Sequence, residues 1–274
     1  MAVLPRAINH VTTPGLSYTA LVALARDLGC VGIELRNDLP AALFDGQDPA
    51  QAGQAARDAG LEILALAEVK SFNDWSDTKA TEADKLMAVA AACGARGVSL
   101  IPRNDGHGLG NGERQANLRI ALRELKPMLD AHGLLGFVEP LGFEHCSMQY
   151  KSEAVEIIEA LNADHCIKLV HDTFHHHLAG GGPVFADHTG IVHVSGVAVA
   201  GIPAREMTDQ HRLLVDGQDR LGSVHQVEAL LASGYSGPIS MEAFAPEVHA
   251  FSDPKTELLR SFGFIETRLA EKAA

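Results

Sequence analysis

The chain has 274 residues, 46% of them apolar and 21% charged, which is enough to bury a sizeable core and too apolar for a disordered polymer. A formal net charge of -13 without any Lys/Arg cluster repels phosphate backbones, so nucleic acid is excluded as an expected partner. No run approaches the roughly 20 apolar residues needed to cross a bilayer, and the opening MAVLPRAINHVTTPG lacks a basic segment followed by an apolar stretch, so no membrane association is expected and the chain reads as cytoplasmic.

Strand-like and helix-like segments alternate along the whole chain. The first strand is expected over VLPRAINH, followed by a helix over LSYTALVALARDLG with Ser17 as N-cap and Gly29 as its stop. VGIELR and the helix around PAQAGQAARDAG form the second pair. LEILALAEV leads through a polar loop with Phe72 and Trp75 into TEADKLMAVAAACG, where Thr81 and Asp84 have the spacing of a capping box. RGVSLIP is followed by the glycine-rich NDGHGLGNG and the helix ERQANLRIALRELKPMLDAHG. The last four strands are GLLGFVEP, HCIKLVHD, TGIVHVS and SGPISME. The helices between them are SEAVEIIEALN, a poorly defined stretch near PVFADH, and SVHQVEALLASG, with PKTELLRSFGFIETRLAEK at the end.

Eight such pairs in one stretch of this length predict a single (β/α)8 TIM barrel spanning 1–274, in preference to an open doubly wound sheet. The glycine-rich GHGLGNG does not follow a strand with the dinucleotide-binding spacing and reads as a flexible loop. Cys30, Cys93, Cys146 and Cys166 form no CxxC pair and read as reduced packing residues.

Glu139, Asp172, His193 and Glu242 each close one of the last four apolar runs. In parallel strands these ends meet on one face of the barrel. By strand parity Glu139 shares its face with Phe137, Asp172 with Val170, His193 with Ile191, and Glu242 with Ser240, which places all four inward. Three unpaired carboxylates in a dry interior would each cost several kcal/mol, so one divalent cation is expected among them, and an oxygen-rich set with a single imidazole suits Mn2+, Zn2+, Co2+ or Mg2+. His175 lies three residues beyond Asp172, at the start of a loop expected to cover the site, whereas His171 points by parity toward the helices. Asn9, His10, Glu34, Arg36, Glu68, Phe72 and Trp75 stand at or near the remaining strand ends as candidate pocket residues. Glu34 and Arg36 share a strand face and are candidates to pair with each other. Trp75, in a loop over the expected mouth, is a candidate lid residue.

The chain resembles the xylose isomerase-like TIM barrels, and within them the inosose (2-keto-myo-inositol) isomerases. The likeness runs through AINHVTT, GIELR, LALAEVKSFN, FVEPLGF, HDTFHHH, VHVSG, MTDQHRLLVDGQ and ISMEAFAPE in order. It implies that Glu139, Asp172, His193 and Glu242 are metal ligands, that His175 contacts substrate or a metal-bound water, and that Arg212 lies near the substrate oxygens. The chain departs from the family pattern at Gly196 and the VAVAG that follows, and at RLLVDGQD, both in loops that would face the substrate.

The chemistry expected is transfer of a carbonyl to the adjacent carbon of a ketose or inosose through an enediolate. Glu139 and Glu242 would be the catalytic proton carriers as well as ligands, His175 would serve hydroxyl protons, and Arg212 or Arg205 would neutralise oxyanion charge. Glu68, Asn9 and Trp75 complete the expected substrate contacts. A ketose 3-epimerase or hydroxypyruvate isomerase would use the same chemistry. An endonuclease-IV-like nuclease shares the DTxH run but would need more ligands and a basic surface, and a non-catalytic sugar-binding barrel would bind ligand without turnover.

Overall fold

Short strands that are apolar on both faces need cover on both, and a parallel sheet closed on itself with helices outside provides it. The computed structural model describes residues 4–110 and 112–273. Val3 of the first expected strand, Asn111 of the glycine-rich loop, and Met1, Ala2 and Ala274 of the 1–274 domain expectation lie outside the described residues. In chain order the elements are β1 (Arg6–Asn9), α1 (Tyr18–Asp27), β2 (Gly32–Arg36), α2 (Pro49–Asp58), β3 (Glu62–Lys70), α3 (Asp77–Cys93), β4 (Gly97–Ile101), α4 (Glu113–His132), β5 (Leu135–Val138), α5 (Lys151–Ala160), β6 (Ile167–Asp172), α6 (Thr173–Leu178), β7 (Thr189–Val194), α7 (Ser223–Ala232), β8 (Ile239–Met241), α8 (Pro246–His249) and α9 (Pro254–Ala273). The eight strands form one closed parallel barrel in sequence order, β8 pairing with β1. This is the (β/α)8 fold.

The barrel interior is a small apolar cluster of Ala7, Leu64, Ala65, Phe137, Val170 and Ile191, while Ile8, Ile33, Leu66, Val138, Leu169 and Val192 join the larger core beneath the helices. Phe137 fits inside because its neighbours carry no side chain. A Cβ on Gly97 or on Gly190 would stand 2.7 Å from the Phe137 ring. All four cysteines are buried and free. No helix among the described residues is long and apolar enough to cross a membrane.

Three elements differ from expectation. The third helix starts a turn early, at Asp77, because Ser76 rather than Thr81 caps it, accepting from Lys79 N at 3.2 Å; the Thr81 hydroxyl instead donates to Asp77 O inside the helix. The sixth helix is not near PVFADH, where only a 3-10 turn forms at Ala186–His188, but on the THH-rich segment itself. A short helix, α8, follows β8, started by Pro246 at its first position.

Candidate metal centre

Asp172 explains why α6 begins where it does. Its Oδ1 accepts from Phe174 N at 2.7 Å and His175 N at 2.9 Å, satisfying two of the free amides at the helix start. The other oxygen, Oδ2, faces the barrel mouth, where it accepts from Arg212. His175 is thereby held in the first turn of a helix rather than in a covering loop, buried against Phe143 and Phe174. Gly142 lets the loop after β5 reach this helix, since a Cβ there would lie 2.1 Å from His175 O.

Glu139 follows β5, Asp172 ends β6, His193 lies in β7 and Glu242 follows β8. All four are buried, and each offers a ligand atom within 4.8 Å of the others. His193 Nδ1 is 3.2 Å from Glu242 Oε2, 3.5 Å from Glu139 Oε1 and 3.9 Å from Asp172 Oδ2, and it makes no hydrogen bond. Its other nitrogen, Nε2, donates to Glu34 at 2.9 Å. Glu34 is itself fixed, because Oε1 accepts from the Ser240 hydroxyl.

Glu242 is the most constrained carboxylate. Oε1 accepts from Asn9 Nδ2 at 3.0 Å and Arg36 Nη1 at 3.3 Å, and Oε2 accepts from Arg212 Nη2 at 2.8 Å. Arg212 also donates through Nη2 to Asp172 Oδ2, through Nε to Ser195 Oγ at 3.1 Å and through Nη1 to Asp209 at 3.2 Å. Its backbone is pinned as well: Leu213 and Gly196 exchange two hydrogen bonds of 2.7 Å, and Phe244 N and Ala245 N donate to Arg212 O. Gly196 is thus the anchor that brings the arginine loop back to the end of β7.

These contacts separate the two glutamates electrostatically. Burial alone would raise both, and Glu139 is raised further by the neighbouring Glu242 charge. For Glu242, His193, Arg212 and Arg36 overcome burial and hold the carboxyl well below the usual carboxylate range. His193 is pushed well above the ordinary imidazole value against the effect of burial, chiefly by Glu242 and Glu34. Glu68 is raised by burial, which Arg36 at 3.7 Å partly offsets.

The donor set fits a divalent cation. Glu34, Glu139, Asp172 and Glu242 are four buried carboxylates against two buried guanidiniums, Arg36 and Arg212, leaving two negative charges in a dry site when His193 is neutral. Glu34 accepts the Nε2–H of His193 and so leaves Nδ1 as the nitrogen that faces three carboxylate oxygens; without a cation those oxygens favour a proton there, in line with the raised imidazole, and a cation would take that proton's place. A histidine oriented by a carboxylate through its other nitrogen is the pattern of a metal ligand. Glu139 and Glu242 of the cluster open onto a cavity of about 380 Å³, walled by Arg36, Glu68, Lys70, Phe143, His175 and Phe244 among others.

The model of the xylose isomerase-like TIM barrel family matches residues 22–268. The chain belongs to this family. Among its relatives, the inosose isomerase of Halalkalibacterium halodurans is 27% identical over 199 residues, 70% of each chain. A crystal structure of a xylose isomerase domain containing protein from Salmonella typhimurium LT2 superposes with a TM-score of 0.89 at 28% identity, covering 98% of this chain and 99% of that one. The crystal structure of IolI protein with a binding zinc atom has a TM-score of 0.83 at 20% identity, over 98% and 99% of the two chains, and shares the fold.

Within this xylose isomerase-like barrel, the structure brings Glu68, Glu139, His175, Arg212 and Glu242 around one cavity, with Asp172 and His193 joined to Glu139 and Glu242 in the ligand cluster, but not every expected residue. Asn9 is not at the cavity wall; its side chain is spent on Glu242 and on accepting from Val11 N, which makes it a positioning residue. Arg205 lies in a 3-10 turn, exposed to solvent and paired with Glu206, because the loop tether at Gly196–Leu213 carries Arg212 inward in its place. Trp75, immediately before the Ser76 cap, is half-buried against the main core and is not a lid. Glu34 and Arg36 do not pair with each other: Glu34 serves His193, and Arg36 binds Asp38 at 2.7 Å and Glu242. The orienting role of Glu34 had a signal in the sequence, an acid on the inward face of a strand between Ile33 and Leu35, but parity does not tell which imidazole lies across the barrel.

Proposed function

We propose that this protein is a divalent-cation-dependent isomerase of small polyhydroxy ketones, which moves a carbonyl to the adjacent carbon through an enediolate, with a cyclitol ketone such as 2-keto-myo-inositol as substrate. The observation that carries the reading is the buried Glu139, Asp172, His193 and Glu242 cluster, with His193 Nδ1 turned toward three carboxylate oxygens and with Glu139 and Glu242 opening onto a polar cavity. The relative named inosose isomerase adds the substrate class. Glu139, Asp172, His193 and Glu242 would hold one cation, Mn2+, Zn2+, Co2+ or Mg2+, which when bound would polarise a carbonyl and acidify the neighbouring C–H bond, worth on the order of several kcal/mol.

The chain's own residues supply the rest. Glu242, kept ionised by Arg212 and Arg36, is ready to accept a proton, and Glu139, raised by burial, is ready to hold one. Two carboxyls pushed in opposite directions are suited to taking a proton from one carbon and returning it to the next. Arg212 offers fixed positive charge beside the developing oxyanion, and His175, whose Nδ1 has no hydrogen-bond partner among the described residues, would exchange hydroxyl protons. Phe143 and Phe244 would exclude water from one side of the substrate.

The test is an NMR assay of the cation-loaded protein with 2-keto-myo-inositol, a ketohexose and hydroxypyruvate. Turnover of the cyclitol ketone with solvent deuterium entering the product supports the reading. Failure on the whole panel by fully loaded protein would reject it, and turnover of the ketohexose alone would move the assignment to a 3-epimerase.

A further inference from the structure

A second cavity, of about 250 Å³, opens beside the first, lined by Tyr150, Lys151 and Ser152 at the start of α5, by His176 of α6 and by Gly181 and Gly182 of the loop that follows. His175 lines both cavities and separates them. Lys151 is not a loose surface lysine. The carbonyls of Thr173 and Leu221 accept from the Gln226 side-chain amide at 3.1 and 3.0 Å and so fix its orientation. Gln226 Oε1 then accepts from His171 Nε2 at 3.0 Å, which leaves His171 Nδ1 to accept from Lys151 Nζ at 2.7 Å. A relay running back to α7 holds one amine at the wall of a cavity.

No acid answers that amine. Asp172 is the carboxylate that lines the cavity, and both its oxygens are committed, Oδ1 to the amides of α6 and Oδ2 to Arg212. Glu153, two residues along α5 from Lys151, is paired with Arg114. The other groups around the amine are basic: His171 in contact, and His176 with its ring 4.7 Å from that of His171. Among the described residues Lys151 has no carboxylate within salt-bridge distance, in a chain whose net charge is -13. Burial without a counter-ion brings the Lys151 amine down to about 7 and the His176 imidazole down to about 4. An amine positioned this way, half-buried and without its counter-charge, is complementary to a negative group that enters from solution.

We infer that the cavity beside α5 is a receptor for a small anion, the carboxylate or phosphate group of a small molecule, held by Lys151 with His176 at its side. The anion would sit one side chain away from the metal centre, with His175 as the common wall. The inference is independent of the catalytic reading, because Lys151, His171 and His176 are not part of the four-residue cluster.

Calorimetric titration of the full chain with inorganic phosphate, and separately with acetate, tests it, each in cation-loaded and in chelator-treated protein. One anion per chain is expected in both states. Lys151→Met should weaken binding about tenfold or more, the loss of one charge-assisted hydrogen bond, while Lys151→Arg retains most of it and both variants keep the wild-type circular dichroism. Binding of acetate but not phosphate assigns a carboxylate ligand, and the reverse a phosphate ligand. No binding of either anion, binding unchanged in Lys151→Met, or binding that disappears when the cation is chelated would overturn the inference.

Discussion

Glu34 Oε2 accepts the Nε2 proton of His193 at 2.9 Å, and this contact decides what the other imidazole nitrogen can do. With Nε2–H committed to Glu34, Nδ1 is the nitrogen that faces Glu139, Asp172 and Glu242 and that would give up its proton to ligate a cation. A residue on β2 thereby sets the chemistry of a residue on β7 across the barrel. Glu34→Gln keeps the shape but can present an N–H to Nε2 and release the tautomer. Cation affinity is expected to fall by about 10- to 100-fold, measured by competition with a chromophoric chelator, with the fold retained.

Glu242 and Glu139 sit in the same cluster with opposite electrostatic settings. Glu242→Gln and Glu139→Gln, each at full cation loading, are expected to lower kcat by about 100-fold or more with a smaller change in KM. A variant with wild-type kcat and bound cation would remove that residue from the proton-carrying role.

Gly142 is a packing requirement. A Cβ there would meet His175 O at 2.1 Å and Ala179 N at 2.8 Å, both backbone atoms of or next to α6 that cannot swing aside. Gly142→Ala should destabilise the protein by about 1–3 kcal/mol in urea unfolding and displace His175, lowering activity more than cation affinity.

Much of this arrangement was legible in the sequence. Eight apolar runs punctuated by Gly and Pro predicted all eight strands to within a few residues, since buried parallel strands have few other readings, and parity placed Phe137, Val170 and Ile191 inside the barrel, where they pack. Strand-end position and parity likewise brought Glu139, Asp172, His193 and Glu242 together. What was not legible depends on contacts distant in sequence. The roles of Glu34 and Asn9 are set by partners on strands at the far end of the chain, at sequence separations of 159 and 233. Arg212 enters and Arg205 stays out because of one two-residue bridge at Gly196. The α6 segment was misread as loop because its polar HHH run has no apolar period, while the cap that starts it is the strand-end aspartate itself.

Lys151 gives a pH signature of stability. Burial takes its amine from the ordinary lysine value of 10.5 down to about 7, so between those values the unfolded chain binds the proton that the folded chain has released. Stability therefore rises with pH through this window and is lowest, as far as Lys151 is concerned, below about 7. His171 and His176, also held low by burial, stay neutral across the range. Above pH 8.5 the buried thiols begin to act in the opposite sense. His193, held well above the ordinary imidazole value, acts in the opposite sense over this window, so the Lys151 signature is read as a difference: the Tm margin of Lys151→Met over the wild type should be largest at pH 7 and narrow toward pH 8.5.

The central claim is that Glu139, Asp172, His193 and Glu242 hold one divalent cation. Asp130, His165 and Cys166 form the other grouping of ligand types found among the described residues, on a largely exposed face, so His165→Ala is the control. The most direct measurement is the stoichiometry and affinity of Mn2+ and Zn2+ in the purified full chain by elemental analysis and chelator competition. One tightly held ion per chain, kept in His165→Ala and weakened about tenfold or more in a folded His193→Ala, is the result this account predicts. No ion after reconstitution, or an ion held equally well by His193→Ala, would contradict it.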